Sequence, residues 1–179
     1  CENVFSFYSK HERDKRSAIT NEYHQVGSML KPIVYDSFID LGRKYDEFVS
    51  TKPLTIKLKS GSWRPKDYSK AKGDEISLKR ALQKSKNIPL IRVASEIGFD
   101  KLEEELEGKF PRLKKPLADY PAQLLGAIEL SMSEVLTTYS NFIEEKCEQV
   151  KREKLNLEES VLYFMGETAQ TTVAKLAYG

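Results

Sequence analysis

The sequence predicts a mixed α/β fold in which helices dominate. The segment ENVFSFY, residues 2–8, is rich in aromatic and β-branched residues and is predicted to form a strand. Apolar residues recur at helical spacing from about residue 28, and the region 77–179 is predicted to be largely helical. A single strand is not a stable unit. We therefore expect the chain to be part of a larger mixed domain, with partner strands in sequence outside it.

Composition fits a globular protein, and the length is enough for one domain with a sizeable core, of which we expect residues 1–179 to be an incomplete part. The net charge is only +2, so the chain lacks the strongly basic character that is typical of nucleic-acid-binding proteins. No run approaches the roughly 18 apolar residues of a membrane span, so we expect any anchoring to depend on sequence not present here. The two histidines are too isolated to suggest a metal site, and we predict no metal and no cofactor.

The first helix is predicted to begin at about residue 28. Pro32 supports this boundary, because proline is tolerated in a first turn and disrupts a helix deeper in. The apolar residues that follow at helical spacing are Met29, Leu30, Ile33, Val34, Phe38 and Leu41. Residues 46–76 carry two prolines and two glycines and are predicted to form a long loop or small lobe with one strand, LTIKL.

Shorter helices follow the lobe. Ser77 is predicted to cap LKRALQK, and Pro89 is predicted to open LIRVASEI, which ends at Gly98. Asp100 is predicted to cap the next helix, KLEEELE. The tetrapeptide SMSE at residues 131–134 has the spacing of a capping box and predicts a further helix. The end of the chain is predicted to form two helices divided at Gly166.

The hexapeptide GSMLKP, residues 27–32, places Ser28 and Lys31 one helical turn apart on one face. A serine hydroxyl is a poor nucleophile unless a base lies beside it. A lysine serves as that base only when burial or nearby cations lower its pKa. The backbone N–H groups at a helix start, including that of Ser28, suit an oxyanion. Alone, the pair is more typical of an exposed helix turn with an ordinary lysine.

A second motif strengthens the first. SKN, residues 85–87, comes at a predicted helix end and completes the order S-x-x-K followed by S-x-N. The flanking segments WRPKDYSKAKGDEISLKRALQKSKNIPLIRVASEIG and LLGAIELSMSEVLTTYSNF extend the pattern. Over about residues 15–145 the chain resembles the transpeptidase domain of class A (bifunctional) penicillin-binding proteins. Asp67 departs from the pattern, since the family usually has asparagine there.

The resemblance implies a β-lactamase/transpeptidase-like fold, of which this chain is the helix-dominated part. It implies a D,D-transpeptidase that cross-links peptidoglycan peptide stems through an acyl-enzyme on Ser28 and that β-lactam antibiotics block. Lys31 would then be the base, Ser85 would relay a proton to the leaving group, and Asn87 would hold the peptide amide. The implied location is the bacterial cell envelope, on the periplasmic side of the inner membrane. Two alternatives remain: a non-catalytic scaffold or binding module with this fold, and a β-lactamase or β-lactam sensor.

The family's third motif, Lys-Thr/Ser-Gly, follows S-x-N on a strand. Lys59–Ser60–Gly61 has the composition but precedes S-x-N, so its order is wrong. We expect a C-terminal segment or another chain to supply the third motif and the remaining strands. Trp63 and Tyr68, in the 46–76 region, could line a substrate groove, although such aromatic residues more often pack a loop onto its domain.

Overall fold

The computed structural model describes residues 23–69 and 73–153. The strand predicted at residues 2–8 and the helices predicted on either side of Gly166 lie outside the described residues. The chain divides into two compact units, one formed by Val26–Ile128 and one whose described parts are residues 23–25 and 129–153. Each unit is described by itself below.

Helices form the centre of the Val26–Ile128 unit. A 3₁₀ turn, Gly27–Leu30, runs directly into helix α1, Lys31–Asp40. Helix α1 packs with three further helices: α2 (Leu78–Gln83), α3 (Ile88–Ile97) and α4 (Phe99–Leu106). Helix α3 also packs with both α2 and α4. The unit also contains two 3₁₀ turns, Leu117–Asp119 and Pro121–Leu125, and the strands of the lobe at residues 46–76.

Helix α1 is buried on every face rather than along one stripe. Every residue from Lys31 to Phe38 is buried, including the polar side chains of Lys31, Asp36 and Ser37. The apolar residues of this helix contribute to a core that α2, α3 and α4 complete with Leu78, Ala81, Leu90, Ile91, Val93, Ala94, Leu102 and Leu106. A polar group in such a helix has no water to solvate it and needs partners from the protein.

The lobe at residues 46–76 contains more strands than the sequence predicts. Strand β2 (Phe48–Ser50) pairs antiparallel with β5 (Glu75–Ser77), with Val49 opposite Ile76. Strands β3 (Ile56–Leu58) and β4 (Gly61–Trp63) form a tight hairpin, in which only Ile56 is buried. The prediction of a single strand was wrong because these strands are three residues long, too short to show a period of two.

The helix boundaries follow mostly from local signals. The Ser77 hydroxyl accepts a hydrogen bond from the N–H of Arg80, which confirms the predicted cap of α2. Pro89 lies in the first turn of α3, as predicted. The cap predicted at Asp100 is wrong, because Gly98, with φ of 99°, turns the chain so sharply that α4 begins at Phe99. Asp100 lies inside the first turn and makes no capping bond.

In the other unit, strand β1 (His24–Gln25) pairs antiparallel with β6 (Glu129–Leu130), and helix α5 spans Met132–Glu153. The capping box at its start is confirmed in both directions. The N–H of Ser131 donates to the Glu134 carboxylate at 2.8 Å, and the N–H of Glu134 donates to the Ser131 hydroxyl at 3.3 Å. Within residues 23–69 and 73–153, no helix combines the length and apolar character that crossing a membrane requires.

Candidate active site

The ammonium group of Lys31 lies at the centre of a cluster built from two helix ends. It donates to the Ser85 carbonyl at 2.7 Å, to the Ser85 hydroxyl at 3.1 Å and to Asn87 Oδ1 at 2.6 Å. The three acceptors come from the turn between α2 and α3, more than fifty positions along the chain. A lysine has three N–H donors, so this turn satisfies its hydrogen-bonding capacity fully.

Burial makes this lysine unusual in its acid–base behaviour. The Lys31 side chain is only 1% exposed, and burial lowers the pKa of Lys31 to about 8, while the Asp67 carboxylate opposes part of that shift. At pH 7 roughly a tenth of such an amine is neutral, against about one part in three thousand for an ordinary lysine. Lys31 can therefore accept a proton near neutral pH, which is what a general base has to do.

Ser28 lies one turn before Lys31, in the 3₁₀ turn that leads into α1. The residue is exposed, and its carbonyl accepts the backbone N–H of Lys31. Its hydroxyl makes no hydrogen bond with any residue the structure describes. Because Ser28 is near the start of the helix, its N–H is among the first-turn groups without an intrahelical acceptor. An exposed serine and a buried lysine thus lie three residues apart at the start of α1.

The backbone before Ser28 is fixed by the segment that ends this unit. The N–H of Val26 donates to the Ile128 carbonyl, and the N–H of Gly27 donates to the Gly126 carbonyl, each at 3.1 Å. Gly126 has a left-handed backbone with φ of 87°, and a Cβ atom there would collide with the backbone of Gly27. The position of Ser28 therefore depends on a glycine about a hundred residues away.

Ser85 has a left-handed backbone, with φ of 51°, which is uncommon for a residue with a side chain. The left-handed conformation costs about 1–2 kcal/mol for an L-residue. Here it ends α2 and turns both the carbonyl and the hydroxyl of Ser85 toward Lys31. The hydrogen bonds to the ammonium group offset that cost, and the hydroxyl of Ser85 remains on an exposed residue.

Asn87 uses both ends of its side-chain amide. Its Oδ1 accepts from Lys31, and its Nδ2 donates to the Lys66 carbonyl at 2.7 Å. These two bonds orient the amide with its oxygen toward the ammonium group. An aspartate could not make the second bond, because its carboxylate has no donor.

Two residues that sequence reasoning did not assign support this turn. Asp67 Oδ1 accepts the backbone N–H groups of Asn87 at 2.5 Å and Ile88 at 3.1 Å. Lys86 is buried and donates to the carbonyl and the hydroxyl of Ser69, at 2.5 and 3.1 Å. Its ammonium group lies 4.0 Å from Asp67 Oδ2. Lys86 occupies the variable position of S-x-N, so the motif carries no signal for it. For Asp67, the sequence indicated only a departure from the family pattern and no role.

The other aromatic and basic residues considered from the sequence lie outside the hydrogen-bonded cluster. Trp63 pairs with Ile56 in the β3–β4 hairpin and is partly exposed. Tyr68 is fully exposed, so it does not pack the lobe onto the domain. Lys59 lies at the turn of the same hairpin and pairs with Asp119 at 2.8 Å, rather than with a cluster residue. Within the described part of the chain no three His, Cys, Asp or Glu side chains form a group that could hold a metal ion.

Comparison with curated proteins gives consistent relatives, although no protein-family model matches the chain. The chain is 30% identical over 156 residues to penicillin-binding protein 1B of Vibrio cholerae, covering 84% of this chain and 20% of that protein. It is 30% identical over 128 residues to penicillin-binding protein 1A of Rickettsia conorii, covering 70% and 16%. The chain thus spans about a fifth or less of the length of these relatives.

The solved structures that are similar to this chain are also penicillin-binding proteins. Penicillin-binding protein 1A of Haemophilus influenzae superposes with a TM-score of 0.62 at 27% identity, over 72% of this chain and 19% of that one. The TP domain of Burkholderia pseudomallei penicillin-binding protein 3 superposes with a TM-score of 0.53, over 69% and 42%. Its identity to this chain is 19%, so that likeness concerns the fold alone.

These comparisons define the class first: the chain has the helix-rich mixed α/β fold of a penicillin-binding protein transpeptidase domain. The predicted fold class is confirmed. The curated homologues then narrow the class to penicillin-binding proteins 1A and 1B, and the chain belongs to this class A family. The resemblance inferred from S-x-x-K and S-x-N is likewise confirmed.

Proposed function

We propose that this chain carries the acylation centre of a D,D-transpeptidase, which cross-links peptidoglycan peptide stems through an ester on Ser28. The observation that carries the proposal is the buried Lys31, whose ammonium group is held by Ser85 and Asn87 and whose pKa is lowered to about 8. A surface lysine would have neither the partners nor the shifted pKa. The membership in the penicillin-binding protein family supports the same reaction class.

In the proposed reaction the neutral amine of Lys31 takes the proton of the Ser28 hydroxyl. The Ser28 oxygen attacks the carbonyl carbon of the peptide bond between the two terminal D-alanines of a stem. The carbon–nitrogen bond breaks, and the leaving amine needs a proton. The Ser85 hydroxyl, hydrogen-bonded to Lys31 Nζ, is suited to pass that proton on. An amine of a second stem then attacks the ester and releases Ser28.

The oxyanion of the tetrahedral intermediate would be stabilised by the backbone N–H of Ser28 at the start of the helix. We propose that a second donor comes from a strand with the Lys-Thr/Ser-Gly motif, supplied by a C-terminal segment or another chain. Asn87 would hold the amide of the donor stem. Trp63 and Tyr68 are proposed to line the path of the substrate, and the full exposure of Tyr68 supports an open surface there. The reaction requires no metal and no cofactor.

The proposed substrate is found in the bacterial cell envelope, on the periplasmic side of the inner membrane, and we assign the chain to that location. The same nucleophile would react with β-lactam antibiotics, since their strained amide mimics the scissile bond. Two other functions share the S-x-x-K motif. A β-lactamase or sensor would form the same ester, and a β-lactamase would hydrolyse it quickly. A scaffold module would not form it.

Incubation of the full-length protein with a fluorescent penicillin separates a protein that keeps the ester, as a transpeptidase or a sensor does, from a β-lactamase and from a scaffold. A transpeptidase keeps the label on the protein through denaturing electrophoresis. A β-lactamase loses the label and accumulates hydrolysed antibiotic. An unlabelled protein would be a scaffold, and that result would overturn the proposal. The Ser28→Ala variant is the matched control, because it removes a single oxygen from an exposed residue.

A further inference from the structure

We propose that Asp67 is a positioning residue, whose carboxylate holds the Ser85–Asn87 turn against Lys31 by two backbone hydrogen bonds. The inference rests on the proposed function insofar as Lys31 is the base. The two hydrogen bonds from the backbone of Asn87 and Ile88 to Asp67, called the clasp below, can be tested without turnover. Asp67 touches no reacting atom in this account. It acts through the turn that carries the three acceptors of the Lys31 ammonium group.

The geometry of the clasp is specific. One carboxylate oxygen of Asp67 accepts from two consecutive amides, Asn87 at 2.5 Å and Ile88 at 3.1 Å. These N–H groups belong to the start of α3, where amides have no intrahelical acceptor. Asn87 is the N-cap residue of α3, yet its own side chain makes no capping bond, because it is turned toward Lys31. Asp67 therefore replaces the cap that Asn87 does not supply.

A second set of contacts, made by the residues that flank Asp67, holds the same turn. Lys86 donates to the carbonyl and the hydroxyl of Ser69, and Asn87 Nδ2 donates to the Lys66 carbonyl. Residues 66–69 thus contact the turn through backbone and side-chain groups alike. This segment compensates for the left-handed backbone of Ser85, with φ of 51°, which the turn would not adopt for itself.

The Asp67 carboxylate also has an electrostatic effect on the base. Its side chain is 8% exposed, so water screens its charge weakly. It raises the pKa of Lys31, against the larger lowering effect of burial. It also raises the pKa of Tyr35, in the same direction as the larger effect of burial. Lys86, 4.0 Å from Oδ2, is the cation that faces Asp67. The effect of this carboxylate on Lys31 sets the sign of the expected change.

The first experiment measures hydrogen exchange at the amides of Asn87 and Ile88 in the full-length protein. Asp67→Ala removes the acceptor and should speed exchange at both amides by about tenfold, roughly what the loss of one hydrogen bond produces. Asp67→Asn keeps an acceptor oxygen and should retain most of the protection. Unchanged exchange in Asp67→Ala would overturn the clasp. This readout needs no acylation, so it stands even if the proposed function fails.

The second experiment measures the rate of acylation by a β-lactam as a function of pH. Asp67→Asn removes the negative charge that raises the pKa of Lys31, so the rise of the rate with pH should move to lower pH. Asp67→Ala should be slower at every pH, with Asp67→Asn recovering most of the rate. A purely structural role would leave the position of the rise unchanged, and that result would refute the electrostatic part. If the unmodified protein is not acylated, the proposed function fails, and hydrogen exchange still decides the clasp.

Asp74→Asn is the matched control for both experiments. It makes the same chemical change and the same change of net charge in the same lobe. Asp74 pairs with Lys52 at 3.2 Å, and its side chain is 77% exposed. Exposed pairs of this kind contribute little. Neither amide exchange nor the pH of the rise should change in this variant, and a shift of the rise equal to that of Asp67→Asn would overturn the assignment to Asp67.

Discussion

The pH dependence of acylation tests whether Lys31 acts as a general base with a lowered pKa. The structure buries this lysine and lowers its pKa to about 8. Since the reactive form is the neutral amine, the acylation rate should rise about tenfold per pH unit below pH 8 and level off above it. A lysine with an ordinary pKa would place that plateau near pH 10 and lower the rate at pH 7 by roughly 300-fold.

Two substitutions of Lys31 distinguish its role as a proton acceptor from the effect of its positive charge. Lys31→Ala removes the amine and should slow acylation by about 10²–10⁴-fold, the usual cost of losing a general base. Lys31→Arg keeps a positive charge and hydrogen-bond donors but cannot deprotonate, so it should be as slow as Lys31→Ala. Lys57→Ala, at an exposed position on β3, controls for the loss of a lysine elsewhere.

The assay is stopped-flow labelling with a fluorescent penicillin across the pH range, with circular dichroism to confirm that each variant is folded. Three results would refute the reasoning. One is a rate that does not change between about pH 6 and pH 9, the range in which an amine with a pKa of about 8 titrates. The second is a folded Lys31→Arg with near-normal acylation. The third is a plateau near pH 10, which would show that burial does not tune this lysine.

Three further substitutions have expected outcomes. Gly126→Ala should lower the free energy of unfolding by more than about 1 kcal/mol and slow acylation, because a Cβ there collides with Gly27; thermal unfolding unchanged from the parent would contradict this. Asn87→Asp places a carboxylate beside the Lys31 ammonium group and should move the rise of the acylation rate to higher pH; a shift to lower pH would count against it. Lys59→Ala should leave acylation unchanged, since Lys59 pairs with Asp119 on the surface; a large loss of rate would make Lys59–Ser60–Gly61 part of the site.

The residues around Lys31 show which parts of the site were accessible from sequence. Ser28 and Lys31 are close in sequence, so helical geometry alone predicts their proximity. The link to Ser85 and Asn87 needed the order of two motifs and a family resemblance, because nothing local relates positions more than fifty residues apart. The structure brings three of these four side chains into one hydrogen-bonded cluster and leaves Ser28 exposed in the turn that leads into the helix of Lys31.

Other features had no readable signal. Lys86 fills a position that the motif leaves open, and its burial depends on backbone groups of Ser69 that no pattern identifies. Gly126 is needed because the backbone of Gly27, far away in sequence, packs directly against it, and no local pattern in the sequence indicates that contact. The strands of the 46–76 lobe are stabilised by pairing rather than by propensity, so only one of them was anticipated. Caps were predicted well at Ser77 and Ser131, where a side chain bonds its own helix.

The most direct test of the central claim is the site of the covalent adduct. The full-length protein is treated with a β-lactam and digested, and the modified peptide is sequenced by mass spectrometry. The proposal that Ser28 is the nucleophile predicts one adduct, on the peptide that contains Ser28, and none in Ser28→Ala. An adduct on any other residue, or one that persists in Ser28→Ala, would contradict the claim that Ser28 and Lys31 form the acylation centre.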